Sequence, residues 1–195
     1  SSAIDPAARA VDSENVYLWR GHRRKLEAEA VRDSALAAAG LLDPTMYGPA
    51  FRDFVMERPE HSPHYEYELM RPDDPTIRRR AIYRFLARSR PEPFMTVLDC
   101  ADPSMQVEKR GESVSPLQAL ALYNNGLMLT AAKALAARAE PAGDRRAQVA
   151  RAFALAIARE PTPAELDALD SLAADHGLAS ACRVILNMNE FVFVD

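Results

Sequence analysis

Apolar residues recur at helical spacing through the second half of the chain. One stripe contains Val149, Phe153 and Ile157 and stops before Pro161, and another runs from Leu178 to Leu186. Residues three and four positions apart share one face of an α-helix, so both stripes predict amphipathic helices. The inward positions are Val149, Ala152, Phe153, Ala156 and Ile157 in the first, and Leu178, Ala181, Cys182, Ile185 and Leu186 in the second.

A helix start lies between these two stripes. In the run Thr162-Pro163-Ala164-Glu165 the threonine can cap the first turn, the proline suits the first helical position, and the glutamate can reach back. Gly177 is a suitable end for this helix. The region therefore predicts three consecutive helices joined by short turns.

Two longer helices are predicted upstream. Ser115-Pro116 starts one of them, and Gly126 interrupts its interior. The other begins at Asp12, a good N-cap, and runs to Ala39, with Gly21 as a candidate break. Their apolar stripes are Leu117, Leu120, Ala121, Leu127, Met128, Ala131 and Leu135 in the first, and Ala28, Val31, Ala35, Ala38, Ala39 and Leu42 in the second.

Residues 44–75 have a different composition, rich in Pro, Asp, Glu and His, which predicts loops. Within them Tyr65–Leu69 alternates like a strand, and Arg80–Leu86 favours either a second strand or the start of a helix. The sequence therefore predicts a mainly α fold: a helical bundle-like domain with a loop-rich middle and at most a small two-stranded element. We expect one domain over residues 1–195, in which 44–75 is a candidate loop-rich insert.

Composition and charge narrow the function classes. The 195 residues are 48% hydrophobic, which is enough for one sizeable core. The 28 acidic residues outnumber 24 Lys and Arg residues, and the bases are spread along the chain, so nucleic acid is not an expected partner. No apolar run reaches the roughly 18 residues of a membrane span.

The motifs of common enzyme classes are absent from the sequence. It has no glycine-rich nucleotide loop, no G-x-S-x-G and no H-E-x-x-H. It also lacks the C-x-x-C-H motif of c-type haem, so no cofactor is expected in this segment. These absences favour a non-catalytic role and leave enzymatic activity open.

The position of Cys182 on an apolar stripe favours a buried thiol, with a disulfide to Cys100 as the alternative.

Two acidic residues are candidates for catalysis. Asp99 and Asp102 could offer a pair of carboxylates for general acid–base chemistry. Aspartate is equally common in turns and helix caps, so local capping is the alternative interpretation.

A basic cluster precedes the first apolar stripe. Arg20, Arg23, Arg24 and Lys25 could bind an anion or a glycan carboxylate. A helical i, i+4 pair between Arg23 and Glu27 would instead give the cluster a structural explanation.

Amides beside apolar stripes complete the candidate site. A buried amide usually clamps a neighbouring loop, with a ligand contact as the alternative. The amides are Gln118, Asn124, Asn125, Asn187 and Asn189. The candidate polar cluster as a whole comprises Arg20, Arg23, Arg24, Asp99, Asp102, Gln118, Asn124, Asn187, Asn189 and Glu190.

One short run has metal-ligand residue types. His61-Ser62-Pro63-His64 lies between Glu60 and Glu66, but its proline excludes a helical pair of histidines, and a complete site needs more ligands from elsewhere. A solvated loop is therefore favoured over a metal site, with His61 and His64 as the only candidates.

A series of short runs along the chain carries a resemblance to a known family. The runs are Trp19-Arg20, Arg23–Asp33, Leu42–Pro49, Arg79–Tyr83, Pro93-Phe94, Leu98-Asp99, Ser115–Asn124, Arg159–Glu165 and Asn187–Asp195. In this order they resemble the sequence blocks of domain of unknown function 1553, a planctomycete-specific domain. Gly126 departs from the family, where proline is frequent.

The resemblance implies that this chain is the C-terminal two-thirds or so of that domain, which would begin upstream of Ser1-Ser2-Ala3. Such domains usually end large exported proteins and commonly follow a cytochrome-c-like haem domain. This implies a periplasmic or cell-surface location, haem c only in a separate upstream domain, and other domains of the same polypeptide as partners. The family's activity is not established, so the resemblance assigns no catalytic residue.

Three hypotheses follow. The leading one is an exported accessory or interaction module of a cytochrome-c-associated multidomain protein, without independent catalysis. The alternative is a polysaccharide-related enzyme or glycan-binding module with a pocket of Arg, Asp and Asn residues. Convergence of the candidate polar cluster in one concave pocket would favour this alternative. A third is a metal-dependent hydrolase using His61 and His64.

Overall fold

The computed structural model describes residues 4–58 and 62–194, and the mainly α fold is confirmed. Short 3-10 turns at Pro75–Ile77, Ala81–Tyr83 and Glu140–Ala142 supplement the regular elements. The helices are α1 (Pro6–Val11), α2 (Ala28–Ala38), α3 (Pro93–Val97), α4 (Pro116–Asn124), α5 (Gly126–Ala139), α6 (Arg145–Ile157), α7 (Pro163–His176), α8 (Leu178–Ile185) and α9 (Asn189–Val192). The strands are β1 (Arg24–Lys25), β2 (Val55–Glu57), β3 (His64–Glu66) and β4 (Phe193–Val194).

The four helices α5 to α8 form a bundle, with α8 packed against α5, α6 and α7. Phe153 of α6 and Leu135 of α5 are fully buried, and so is Ile185 of α8. Burying a side chain of this size contributes about 1.5–3 kcal/mol. The inward positions predicted from the two stripes therefore account for much of the main core.

The predicted start of α7 is confirmed. The Thr162 hydroxyl accepts from the Glu165 amide at 3.3 Å, and the Glu165 carboxylate accepts from the Thr162 amide at 2.7 Å. This reciprocal pairing satisfies two backbone donors that the first helical turn cannot. Gly177 follows α7 with a φ of +83°, which glycine adopts without strain.

The single helix predicted from Ser115 is wrong, because the chain forms two helices that meet at Asn125. This residue is extended (φ −62°, ψ 137°), and its side chain accepts from the Leu127 amide at 2.9 Å, so it caps α5. Gly126, the first residue of α5, lies so close to Pro72 that a Cβ would come within 2.6 Å of the ring. The interruption noted in the sequence is therefore a helix boundary.

The helix predicted from Asp12 to Ala39 is confirmed only in its second half. Asp12 ends the short helix α1, and its carboxylate accepts from the amides of Val16 and Tyr17 at 3.0 and 2.8 Å. These bonds hold a non-helical turn, because an aspartate carboxylate competes for backbone donors. The predicted apolar positions in the second half are buried, except for Leu42, which lies beyond the end of α2 and is half-buried.

The described part of the chain contains two small antiparallel strand pairs, whereas at most one was predicted. Strand β3 covers the start of the predicted Tyr65–Leu69 strand but pairs with β2, whereas Arg80–Leu86 forms a 3-10 turn and an isolated bridge to Phe51. The second pair joins β1 to β4 and so fastens the early part of the chain to its closing segment. The β1–β4 pair joins residues far apart in the sequence, and β2 and β3 have only three residues each. The alternation of apolar and polar residues therefore could not predict either pair.

Within the described residues, no helix is long and apolar enough to cross a membrane.

Candidate functional site

Two of the ten candidate residues, Asp99 and Gln118, meet in a partly buried network around Asp99. The Lys25 ammonium donates to the Asp99 carboxylate at 2.7 Å, to the Gln118 side-chain oxygen at 3.0 Å and to the Ser113 carbonyl at 2.7 Å. Gln118 and the backbone amide of Ser113 also donate to Asp99, at 3.0 and 2.8 Å. These four residues, here called the Asp99 network, tie β1 to α4 and to the loop before it.

The Asp99 network stabilises a charged carboxylate. Burial by itself raises the pKa of Asp99, but the hydrogen bonds from Lys25, Ser113 and Gln118 outweigh it and hold the pKa below its ordinary value. Lys25 and Gln118 are buried, and Asp99 adopts a left-handed φ of +68°. A lysine that donates to three acceptors while buried is a structural clamp rather than an anion-binding group.

Asp102 does not join this network. Its carboxylate accepts from the backbone amide and the hydroxyl of Ser104 at 2.8 and 2.6 Å, and these bonds lower its pKa. That is the local turn-capping arrangement. The two aspartates that suggested an acid–base pair therefore serve separate structures.

The basic cluster is spread over the extended segment before α2. Arg20 lies over the Trp19 ring at 5.4 Å, Arg23 lies over the Phe193 ring at 4.9 Å, and the exposed Arg24 is in β1. The helical pairing expected for Arg23 and Glu27 is wrong, because both residues precede the first turn of α2. Arg20 and Arg23 stack on two different aromatic rings, which favours cation–π packing over a shared anion site.

The amides have different roles. Asn124 bonds its own helix at Leu120 and accepts from Arg183 at 2.7 Å, so it fastens α8 to the end of α4. Asn187 is half-buried, and its side-chain oxygen has no hydrogen-bond partner among the described residues. Asn189 is exposed at the start of α9.

Glu190 belongs to a network centred on Arg159. That guanidinium pairs with Glu190 and with Glu165, both at 2.7 Å, and lies over the Phe153 ring at 4.8 Å. The hydrogen bond from Arg159 is the main cause that lowers the pKa of Glu165 to about 2. The network connects α7 and α9 beside an open groove of about 490 Å³.

Sequence reasoning missed a group of buried charges beside the loop-rich middle. Arg32 of α2 is 3% exposed and donates to the carbonyls of Ile77 and Arg79, and Arg84 is 8% exposed and pairs with Asp53. The sequence did contain one indication of a buried charge, since Arg32 lies beside the apolar residues of α2. The partners of Arg32 could not be predicted, because they lie in a segment without periodicity.

Two further residues, Glu92 and Tyr67, complete this group. Glu92 caps α3 by accepting from the amides of Phe94 and Met95 at 3.1 and 2.6 Å. Burial raises the pKa of Glu92 above its ordinary value, and burial also raises the pKa of Tyr67 to about 12. Hereafter the charged cluster means Arg32, Asp53, Tyr67, Arg84 and Glu92.

The candidate metal ligands and the two cysteines have different outcomes in the structure. Residues 4–58 and 62–194 contain no group of three His, Cys, Asp or Glu side chains that could hold a metal ion. His64 is exposed in β3, and His61 lies outside the described residues. Cys100 and Cys182 are both free, and Cys182 is buried, which confirms the predicted buried thiol. Burial also raises the pKa of Cys182 to about 12, which disfavours its reactive thiolate form.

Comparison with known proteins gives one match. Residues 1–173 match the family described as PSD1, protein of unknown function (DUF1553), and the closing run Asn187–Asp195 lies beyond the matched range. No curated protein and no solved structure matches the chain significantly. The match covers well over half of the 195 residues, and so the chain belongs to the DUF1553 family.

Proposed function

We propose that this chain is a non-catalytic accessory module that packs against a neighbouring domain of a larger exported polypeptide. The observation that carries the proposal is an apolar face on α4. Leu117 and Leu120, which share one side of that helix, are 61% and 58% exposed, and Val114 just before it is 73% exposed. Leu117 and Leu120 are neighbours on the helix surface, and exposed apolar side chains that adjoin one another are typical of protein interaction sites.

The opposite side of α4 is firmly held. Gln118 belongs to the Asp99 network, and Leu122 is in the main core. The exposed leucines are therefore presented on a fixed helix, which reduces the ordering cost of binding a partner. The resemblance to domains that follow a cytochrome-c-like domain supports a neighbouring domain of the same polypeptide as that partner, and supports a periplasmic or surface location.

The glycan-binding alternative receives less support. It requires the candidate polar cluster to converge, whereas Asp99 and Gln118 serve one network, Asp102 caps a turn, and Glu190 pairs with Arg159. Each of these groups has a structural partner. An interaction module needs no such convergence.

Hydrogen exchange on the larger polypeptide and on this chain alone tests the proposal. Residues 114–124 should exchange more slowly in the larger polypeptide, because the partner domain covers them. The double variant Leu117→Glu/Leu120→Glu should remove that difference. Ala119→Glu is the matched control, since Ala119 is exposed on another side of α4 and should retain the protection.

Equal exchange of residues 114–124 in both proteins would overturn the proposal. The cytochrome context has its own readout, which is the absorption spectrum of covalently bound haem in the larger polypeptide. Absence of that spectrum would reject the haem-domain partner while leaving the interaction face of α4 to be decided by exchange.

A further inference from the structure

Two adjacent cavities lie beside the charged cluster. The larger is about 230 Å³ and the smaller about 100 Å³, and both are lined by Tyr67, Glu92 and Met95. Arg32 and Asp53 line the larger cavity only. The walls thus combine buried charges with apolar side chains, which is the usual composition of a small-molecule site.

One atom in this wall lacks a hydrogen-bond partner. The Oδ2 atom of Asp53 accepts from Arg84, whereas Oδ1 is buried and has no donor among the described residues. A buried carboxylate oxygen without a donor destabilises the folded protein, because it has lost its hydrogen bonds to water and gained none. Asp53 lines the larger cavity, so a rotation of its carboxylate that turns Oδ1 toward the cavity would let a ligand donate a hydrogen bond to it.

We propose that the larger cavity binds a small neutral polyhydroxylated ligand, the size of a single sugar ring, with hydroxyl groups that donate to Asp53 and Glu92. The site is distinct from the α4 face. Its volume is below the roughly 300–1,000 Å³ of drug-sized pockets, which sets the ligand's size.

The surrounding charges favour a neutral ligand. In the larger cavity Asp53 already pairs with Arg84, and Glu68 pairs with Arg90. A cationic ligand would therefore be repelled by Arg32, and an anionic one by Glu92. A hydroxyl group can both donate and accept hydrogen bonds, so it suits a cavity wall that contains positive and negative side chains. Each oxygen of Glu92 accepts one backbone amide and keeps acceptor capacity for a ligand.

The methionines provide a direct readout. Met70 and Met95 line the larger cavity, whereas Met46 and Met105 are exposed and do not line it. In a protein labelled with ¹³C-methyl methionine, titration with D-glucose, D-galactose and N-acetyl-D-glucosamine should shift the Met70 and Met95 signals saturably for at least one sugar. The signals of Met46 and Met105 should stay unchanged. D-glucuronate and D-glucosamine, as charged counterparts, should bind at least tenfold more weakly.

Substitutions locate the binding groups. Asp53→Asn should weaken the binding sugar at least tenfold, and Glu92→Gln should weaken it at least threefold, whereas Asp167→Asn on the exposed face of α7 should have no effect. If Asp53→Asn does not fold, Glu92→Gln decides. No saturable shift at Met70 and Met95 with any neutral sugar overturns the proposal, as does preferred binding of a charged sugar or unchanged affinity in both folded variants.

Discussion

The helical bundle α5–α8 and the middle segment, residues 44–92, are held together in different ways. In the bundle, each helix satisfies its own backbone groups and buries apolar side chains such as Phe153. In the middle segment, arginine side chains satisfy backbone carbonyls at a distance. Arg79 donates to the carbonyls of Pro49 and Thr45 at 2.6 and 3.2 Å, and Arg32 reaches in from α2.

This difference shows how a chain can order a loop-rich segment that contains little regular structure beyond one short strand pair and two 3-10 turns. A carbonyl outside regular structure still needs a donor when it is removed from water. Guanidinium groups meet that need with several donors each, at the cost of burying charge. Burial of Arg32 lowers its pKa despite the nearby Asp33 and Asp53, which indicates how strongly the site is desolvated.

The largest effect is expected from Phe153→Ala in the bundle. The ring is fully buried, and its removal leaves a cavity that should cost about 3–5 kcal/mol of unfolding free energy. Urea denaturation of wild type and variant measures it. Arg151→Ala, on the exposed face of the same helix, is the control and should change stability far less. A similar loss in both variants would contradict an apolar core centred on Phe153.

In the middle segment, breaking the Arg84–Asp53 pair should have the next largest effect. Arg84→Met should cost about 3 kcal/mol, because it leaves Asp53 as a buried charge without its partner. Adding Asp53→Asn should recover part of that loss, since the uncompensated charge is then gone. Both values come from chemical denaturation. No recovery in the double variant would show that lost packing, rather than charge, dominates.

The Asp99 network gives a pH-dependent prediction. Asp99→Asn should lower the unfolding free energy by about 2 kcal/mol near neutral pH, because the carboxylate accepts several hydrogen bonds and forms an ion pair with Lys25. The folded pKa of Asp99 is lowered, so this stabilisation is complete above the unfolded pKa of about 3.9 and is lost as pH falls through the lower folded value.

Unfolding free energies measured at several pH values test this prediction. The gap between wild type and Asp99→Asn should narrow only in the acid range. Asp102→Asn, at an exposed turn, should show a weaker dependence in the same direction, because only Ser104 donates to Asp102 and lowers its pKa. A gap that is independent of pH below 4 would contradict the ionised network.

The smallest predicted effect lies at the contact between the two regions. Gly126→Ala should destabilise the protein by about 1 kcal/mol, because the new Cβ would come within 2.6 Å of Pro72. Pro72 is exposed, so its loop can move and keep the loss small. Pro72→Ala combined with Gly126→Ala should restore stability, as measured by thermal unfolding. A fully stable single variant would show that the two regions are not tightly packed there.

Prediction from sequence succeeded where contacts are local. The capping box at Thr162 and the stripe of Leu178 to Leu186 each depend on residues within one helix, and both are confirmed. It failed at Asp12, where a carboxylate accepts from the amides of Val16 and Tyr17 and holds a turn. The same residue type that suits a helix N-cap thus stabilises a turn at this position.

The candidate site was predicted only in part. Asp99, Gln118 and Lys25 were each noted as candidates, but in three separate groups, and the fold brings them into one network. The charged cluster was not predicted at all, because Asp53 and Glu92 are 39 positions apart and lie in segments without periodicity.

The sequence by itself determined the mainly α fold, most of the buried face of each bundle helix and membership of the DUF1553 family. The buried face of a helix repeats every three to four residues, so it can be predicted from nearby positions in the sequence. Only the tertiary structure decided which polar groups meet, because an ion pair such as Arg84–Asp53 joins distant residues and produces no periodic pattern in the sequence. The apolar face of α4 and the cavity beside the charged cluster both depend on that long-range arrangement.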